Sequence, residues 1–147
     1  MVPKVLTLVV AAGFVLTGCP QSSTSQPPPP VAAGGCTGAV CNVVITVTNC
    51  DPVPVPDPLN VSAANSVINW KIAPQSIQQG FTFTPTNGIV PRDDQDNQFS
   101  GHTAASPTHF HVNDKNSNRT RYKYAINVQQ NGNACPTKDP SIQNGSN

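Results

Sequence analysis

Val43-Val44-Ile45-Thr46-Val47-Thr48 places Val43, Ile45 and Val47 on one side of an extended chain and Val44, Thr46 and Thr48 on the other. Successive side chains of a strand point to opposite faces, whereas a helical stripe recurs every three or four residues. The alternation therefore predicts a half-buried strand. The same period returns downstream. Ile68, Trp70 and Ile72 alternate with Asn69 and Lys71, which sends Trp70 into the core; Phe81 and Phe83 alternate with Thr82 and Thr84 before an Asn87-Gly88 turn signal. Phe110 and Val112 take one face while His109 and His111 take the other. Tyr122, Tyr124, Ile126 and Val128 predict the longest strand, with Arg121, Lys123 and Asn127 outward. Shorter strands are expected around Leu59–Ser62, Ile89–Val90 and Gln98–Ser100. Proline-rich Asp51–Pro58 reads as an irregular crossing at a sheet edge, and the tail from Asn131 as a packed loop.

The composition agrees with this pattern. The chain has 16 prolines, no Glu, and abundant Asn, Thr and Val, which disfavour helices and suit strands joined by turns. An all-β fold is expected, an antiparallel or mixed β-sandwich of about seven strands with immunoglobulin-like or cupredoxin-like topology. Beyond residue 18 the seven basic residues balance seven acids, all Asp. A neutral, sparsely charged surface lacks the basic footprint that nucleic acid requires, and it offers no polybasic patch for a membrane.

The N-terminus is organised differently. Lys4 precedes an apolar run from Val5 to Leu16, which matches a secretory core segment and falls short of the ~20 residues a spanning helix needs. Leu16-Thr17-Gly18-Cys19 then resembles the lipobox of bacterial lipoproteins. That resemblance implies a signal peptide over 1–18, acylation of Cys19 as the mature N-terminus, and attachment to a membrane facing an oxidising compartment. Pro20 stands where an Asp would signal inner-membrane retention, so the resemblance leans toward the outer membrane. Residues 19–35 follow as a lipidated end and a Ser-, Gln- and Pro-rich tether, with Pro27–Pro30 favouring extended polyproline II. The sandwich domain is expected over 36–147.

With Cys19 lipidated, Cys36, Cys41, Cys50 and Cys135 remain, and an even count in an exported domain implies disulfides. Cys41 and Cys50 flank an extended strand and are too far apart to join. Cys36 and Cys41 can meet across a short loop containing Gly38. If the first and last strands run parallel, as in many such sandwiches, Cys50 lies near Cys135. Cys36–Cys41 with Cys50–Cys135 is the favoured pairing; Cys41–Cys135 with Cys36–Cys50 is its rival.

The segments Cys41-x-Val-x-Ile-Thr-Val-x-x-Cys50, Phe81-x-Phe-x-x-x-x-Gly88-Ile and Tyr122-Lys-Tyr-x-Ile-x-Val128 resemble those of small exported bacterial sandwich proteins, which implies fold and location but no activity. The cupredoxin resemblance is topological. Blue copper requires two His, a Cys and usually a Met, yet no His follows His111 and the one Met is Met1, so that site is not expected. His109 and His111, at i and i+2, share a strand face and could grip one copper or zinc ion, with His102 as a third ligand. Asp93, Asp94 and Asp96 could suit calcium but read first as a solvated loop. Ser106 and Asp114 lack recognisable catalytic partners, and no nucleophile elbow, phosphate loop or zinc-protease motif occurs. The expectation is a non-enzymatic envelope lipoprotein without a cofactor, binding an envelope protein, a glycan or an edge-adding peptide. The alternative is a periplasmic metal-binding protein using the histidines.

Overall fold

Cys41, Val43, Ile45 and Val47 all turn inward from a single nine-residue strand, and the sandwich is assembled around that row. A computed structural model describes residues 34–145. The expected signal peptide, Cys19 and the tether up to residue 33 lie outside the described residues. The chain enters as β1 (Gly35–Thr37), turns into β2 (Val40–Thr48), and folds back as β3 (Asp51–Val55). Next come β4 (Leu59–Val61), β5 (Ser66–Ile72), the short helix α1 (Pro74–Gln78), β6 (Phe81–Phe83) and β7 (Ile89–Arg92). The hairpin of β8 (Phe99–Ser106) and β9 (His109–Asp114) follows, then β10 (Arg121–Ile126), β11 (Val128–Gln130), β12 (Asn133–Ala134) and β13 (Ser141–Asn144).

One sheet runs β1-β2-β5-β9-β8, with β3 sharing the β1 side of β2. Facing it are a four-stranded sheet, β4-β13-β10-β7, and a three-stranded sheet, β12-β11-β6. The pairing is mixed, because β2 runs parallel to β5 and β4 parallel to β13. Trp70 meets Tyr124 at a ring-centroid distance of 5.4 Å, Phe99 meets Tyr122 at 5.2 Å and Phe83 meets Phe110 at 6.1 Å. Each pair takes one ring from the first sheet and one from the opposing layer, in tilted or edge-on geometry that suits aromatic quadrupoles.

The all-β sandwich-like fold and the inward faces are as the alternation predicts, and the described strands are shorter and more numerous than seven. Tyr122–Val128 is not one long strand. Asn127 breaks it: its N–H donates to Gly88 O at 2.8 Å, and its carbonyl accepts the Thr84 N–H at 3.1 Å. The 84–88 turn thus holds Asn127 out of the ladder, and the chain passes from the second sheet to the third.

Asp51–Pro58 begins as a regular strand, β3, rather than an irregular crossing. Pro52 and Pro54 both face inward opposite Val47 and Ile45, so their missing N–H groups lie at alternate positions of an edge strand, where proline is tolerated. The tail is not all loop either, since β13 is the second strand of its sheet, bonded on both sides. One helix appears, α1, and its buried Ser76 takes the Val47 N–H on Oγ at 2.8 Å and so finishes β2.

Both favoured disulfides are present. Cys36 and Cys41 are direct partners across the β1–β2 hairpin, with Cα atoms 3.9 Å apart. Cys50, in the β2–β3 turn, joins Cys135, just after β12, at 5.1 Å, which ties the first sheet to the third. Gly34 must be glycine, because a Cβ there would collide with the Val55 carbonyl.

Candidate functional site

The β8–β9 hairpin positions an open groove on the surface of the domain. β8 is an outer strand of the first sheet, and from Ser100 to Ala105 it is exposed on both faces. Two register shifts, between Ser100 and Thr103 and between Ala104 and Ser106, put an extra residue into β8 each time. Such bulges bend an edge strand and blunt its capacity for indiscriminate pairing. Gly101 sits in the first with φ 65°, a conformation glycine adopts without strain. The hairpin tip is pinned from two sides. Phe83 N–H donates to Pro107 O at 2.7 Å, and Ile72 N–H to Thr108 O at 3.0 Å.

Where this tip crosses β6 an open groove of ≈ 440 Å³ remains. Phe83, Thr84 and Pro85 form one wall and Ala104, Ser106 and Pro107 the other. No lining residue is charged, and the surface is mostly carbon. The volume lies within the range of small-ligand and peptide side-chain sites. Nucleophile, base and oxyanion donors do not converge here: its polar groups are the hydroxyls of Thr82, Thr84 and Ser106 and the Gln129 amide, and Gln129 Nε2 already donates to Thr82 Oγ1 at 3.2 Å. Such a surface is suited to binding.

All seven aromatic residues of the described region are buried, from Trp70 and Tyr124 at 0 % to Phe99 at 6 % exposure. The Phe, Tyr and Trp faces that could stack on a sugar or a base are therefore turned inward among the described residues.

His109 and His111 stand as the alternation predicts, on the outer face of β9 and partly exposed. His109 lies opposite Lys71 and beside Ser106; His111 lies opposite Asn69 and Thr103. Burial first, then the Lys71 and His111 charges, hold the His109 imidazole below its ordinary value. The Lys71 ammonium opposes a dication at this pair in the same way. His102 lies exposed between the paired positions Ser100 and Thr103, and no group of three or more His, Cys, Asp or Glu side chains gathers at metal-binding separation among the described residues.

The three acids of the 93–96 loop also diverge. Asp94 accepts the N–H groups of Gln98 and Phe99 at 2.6 and 3.0 Å, Asp96 accepts Asn118 Nδ2 at 3.0 Å, and Asp93 is exposed at φ 58°. The four described cysteines are all in disulfides, so none is a metal ligand. Cys19 lies outside the described residues, and no described helix is long and apolar enough to cross a membrane. Sequence reasoning missed the groove, since its walls come from three segments with no shared motif. No protein-family model matches the chain, and no curated protein is significantly similar to it.

Proposed function

We propose that this chain is a lipid-anchored, non-catalytic binding module of the bacterial envelope, whose groove between β6 and β8 receives an uncharged, extended polypeptide segment of another envelope protein. The lipobox-like Leu16–Cys19 and the Pro-rich stretch behind it support the anchor and the tether. The exported sandwich resemblance, immunoglobulin-like or cupredoxin-like, supports a scaffold for binding. The observation that carries the reading is the uncharged, carbon-rich groove beside a doubly exposed outer strand. A charged partner would lose hydration there without gaining a counter-charge. A glycan or nucleic acid would find no exposed Phe, Tyr or Trp ring to stack on among the described residues. An extended peptide can place small apolar side chains against Pro85, Ala104 and Pro107 while its backbone meets the free edge of β8.

The test uses the full chain in its native envelope, with a photo-cross-linking residue at Thr84 and, as a control, at Thr46 on the outer face of the first sheet. A protease-sensitive adduct from Thr84 alone, lost when Ala104→Arg introduces a charge into the groove, is the expected result. Equal adducts from both positions, an adduct indifferent to Ala104→Arg, or a protease-resistant glycan adduct would overturn the proposal.

A further inference from the structure

Asp114 closes the inward row of β9 after Phe110 and Val112 and is fully buried, as is Asn144 of β13. Asp114 Oδ1 accepts the Asn116 N–H at 2.8 Å and the Asn144 Nδ2–H at 3.0 Å. Its other oxygen, Oδ2, meets no donor, and neither does Asn144 Oδ1, although both atoms are sealed from solvent. Two orphaned acceptors on two groups already bonded to each other is a costly arrangement, unless something positive lies between them.

A metal ion fits poorly. Calcium requires six to eight oxygens, whereas the neighbouring Asn116 is committed: its Oδ1 accepts the Gly145 N–H at 2.8 Å, and its Nδ2 donates to Val61 O and Ala63 O at 3.1 and 2.9 Å. A proton needs only one oxygen to ride on and one to face. We infer that Asp114 is a neutral carboxylic acid at neutral pH, its Oδ2–H donating to Asn144 Oδ1, so that acid and amide form a reciprocal latch between the first and second sheets.

The surroundings favour the neutral form. Burial, the largest influence, pushes the carboxyl up; the Asn116 N–H and the Asn144 amide pull it down; the Asp94 carboxylate pushes it up again. The other elements packed against it bring no charge: β5 presents Ser66, β8 presents Phe99, and Asn116 ties in Val61 of β4. Lys115, the next residue, is exposed, and Arg119 covers Gly145 beside the latch.

A carboxyl whose folded pKa is raised adds stability that is whole below its unfolded value, about 3.9, and is lost as pH rises through the folded value. Asp114→Asn carries the Oδ2 donor permanently as an amide. Between the unfolded and folded pKa values, the folding constant of the variant relative to wild type is expected to rise about tenfold per pH unit, read by urea denaturation of the full chain. The second measurement needs no variant to fold: infrared spectra of the wild-type chain at neutral pH should show a protonated-carboxyl band that disappears at high pH. A variant destabilised by one constant margin across that range, or a wild-type spectrum without the band, would mean an ionised Asp114 bridged by water and would overturn the inference.

Discussion

His109 shows how much one residue's setting depends on its strand neighbours. Its imidazole lies opposite Lys71 with Nε2 buried and unpartnered, and its pKa is held below the ordinary 6.5 by burial first, then by Lys71 and His111. A depressed folded value means that the neutral ring's contribution is present above about 6.5 and is lost as pH falls through the lower folded value. His109→Gln, which stays neutral, should therefore flatten the acid limb of the stability profile measured by urea midpoints. An acid limb identical to wild type would show that other groups carry it. At this scale the sequence was legible where burial follows local period. Trp70 and Tyr124 point inward and His109 and His111 outward because alternation alone decides the side. Asp114 was not legible, since its amide partner lies 30 residues away in a strand whose residues show no period.

Among the elements, β3 carries the plainest message. Its residues pair with β2 on one side only, and Pro52 and Pro54 remove alternate donors from an otherwise open edge. Val53 and Val55, each 47 % exposed, form an apolar face beside it that would reward pairing with another chain. Pro52→Val with Pro54→Val restores the missing donors with side chains of similar bulk. We expect a folded domain that self-associates with concentration, followed by light scattering; a monodisperse double variant would show that the prolines do not protect this edge. The prolines that make this strand a good edge also concealed it in the sequence, because strand patterns are read from β-branched and aromatic runs. For Tyr122–Val128 the local period is unbroken, and only the distant 84–88 turn holding Asn127 decides where one strand ends and the next begins. The groove was illegible for a similar reason: Thr82–Pro85, Ala104–Pro107 and Gln129 meet only through the tertiary crossing of the β8–β9 tip over β6.

For the whole molecule, the proposed division is between an anchor and a domain that folds without it. The core is drawn from residues between Cys41 and Ile142, and both disulfides close inside the described region. On the proposed anchoring the lipid would attach through the thiol of Cys19, so Cys19→Ser should abolish acylation and release the protein from membranes or leave it an unprocessed precursor. The domain should keep its two disulfides, read by non-reducing mass spectrometry, and its unfolding midpoint. Unchanged membrane attachment would disprove the lipid anchor, and a fall in the midpoint would show that the residues before Gly34 contribute to the core.

The Cys36–Cys41 bond has a mechanical consequence. Any pull transmitted along the chain from its N-terminal side enters the domain at β1, a three-residue strand held to β2 by a hairpin ladder. Such ladders open one rung at a time when loaded from an end. Here the load crosses from Cys36 directly into Cys41 through covalent sulfur and skips the 37–40 turn. It then reaches β2, gripped on both sides by β3 and β5, where many backbone bonds resist together. Tension arriving from that side is thereby delivered to a nine-residue strand paired on both sides, and the hairpin cannot be unzipped beyond Cys36.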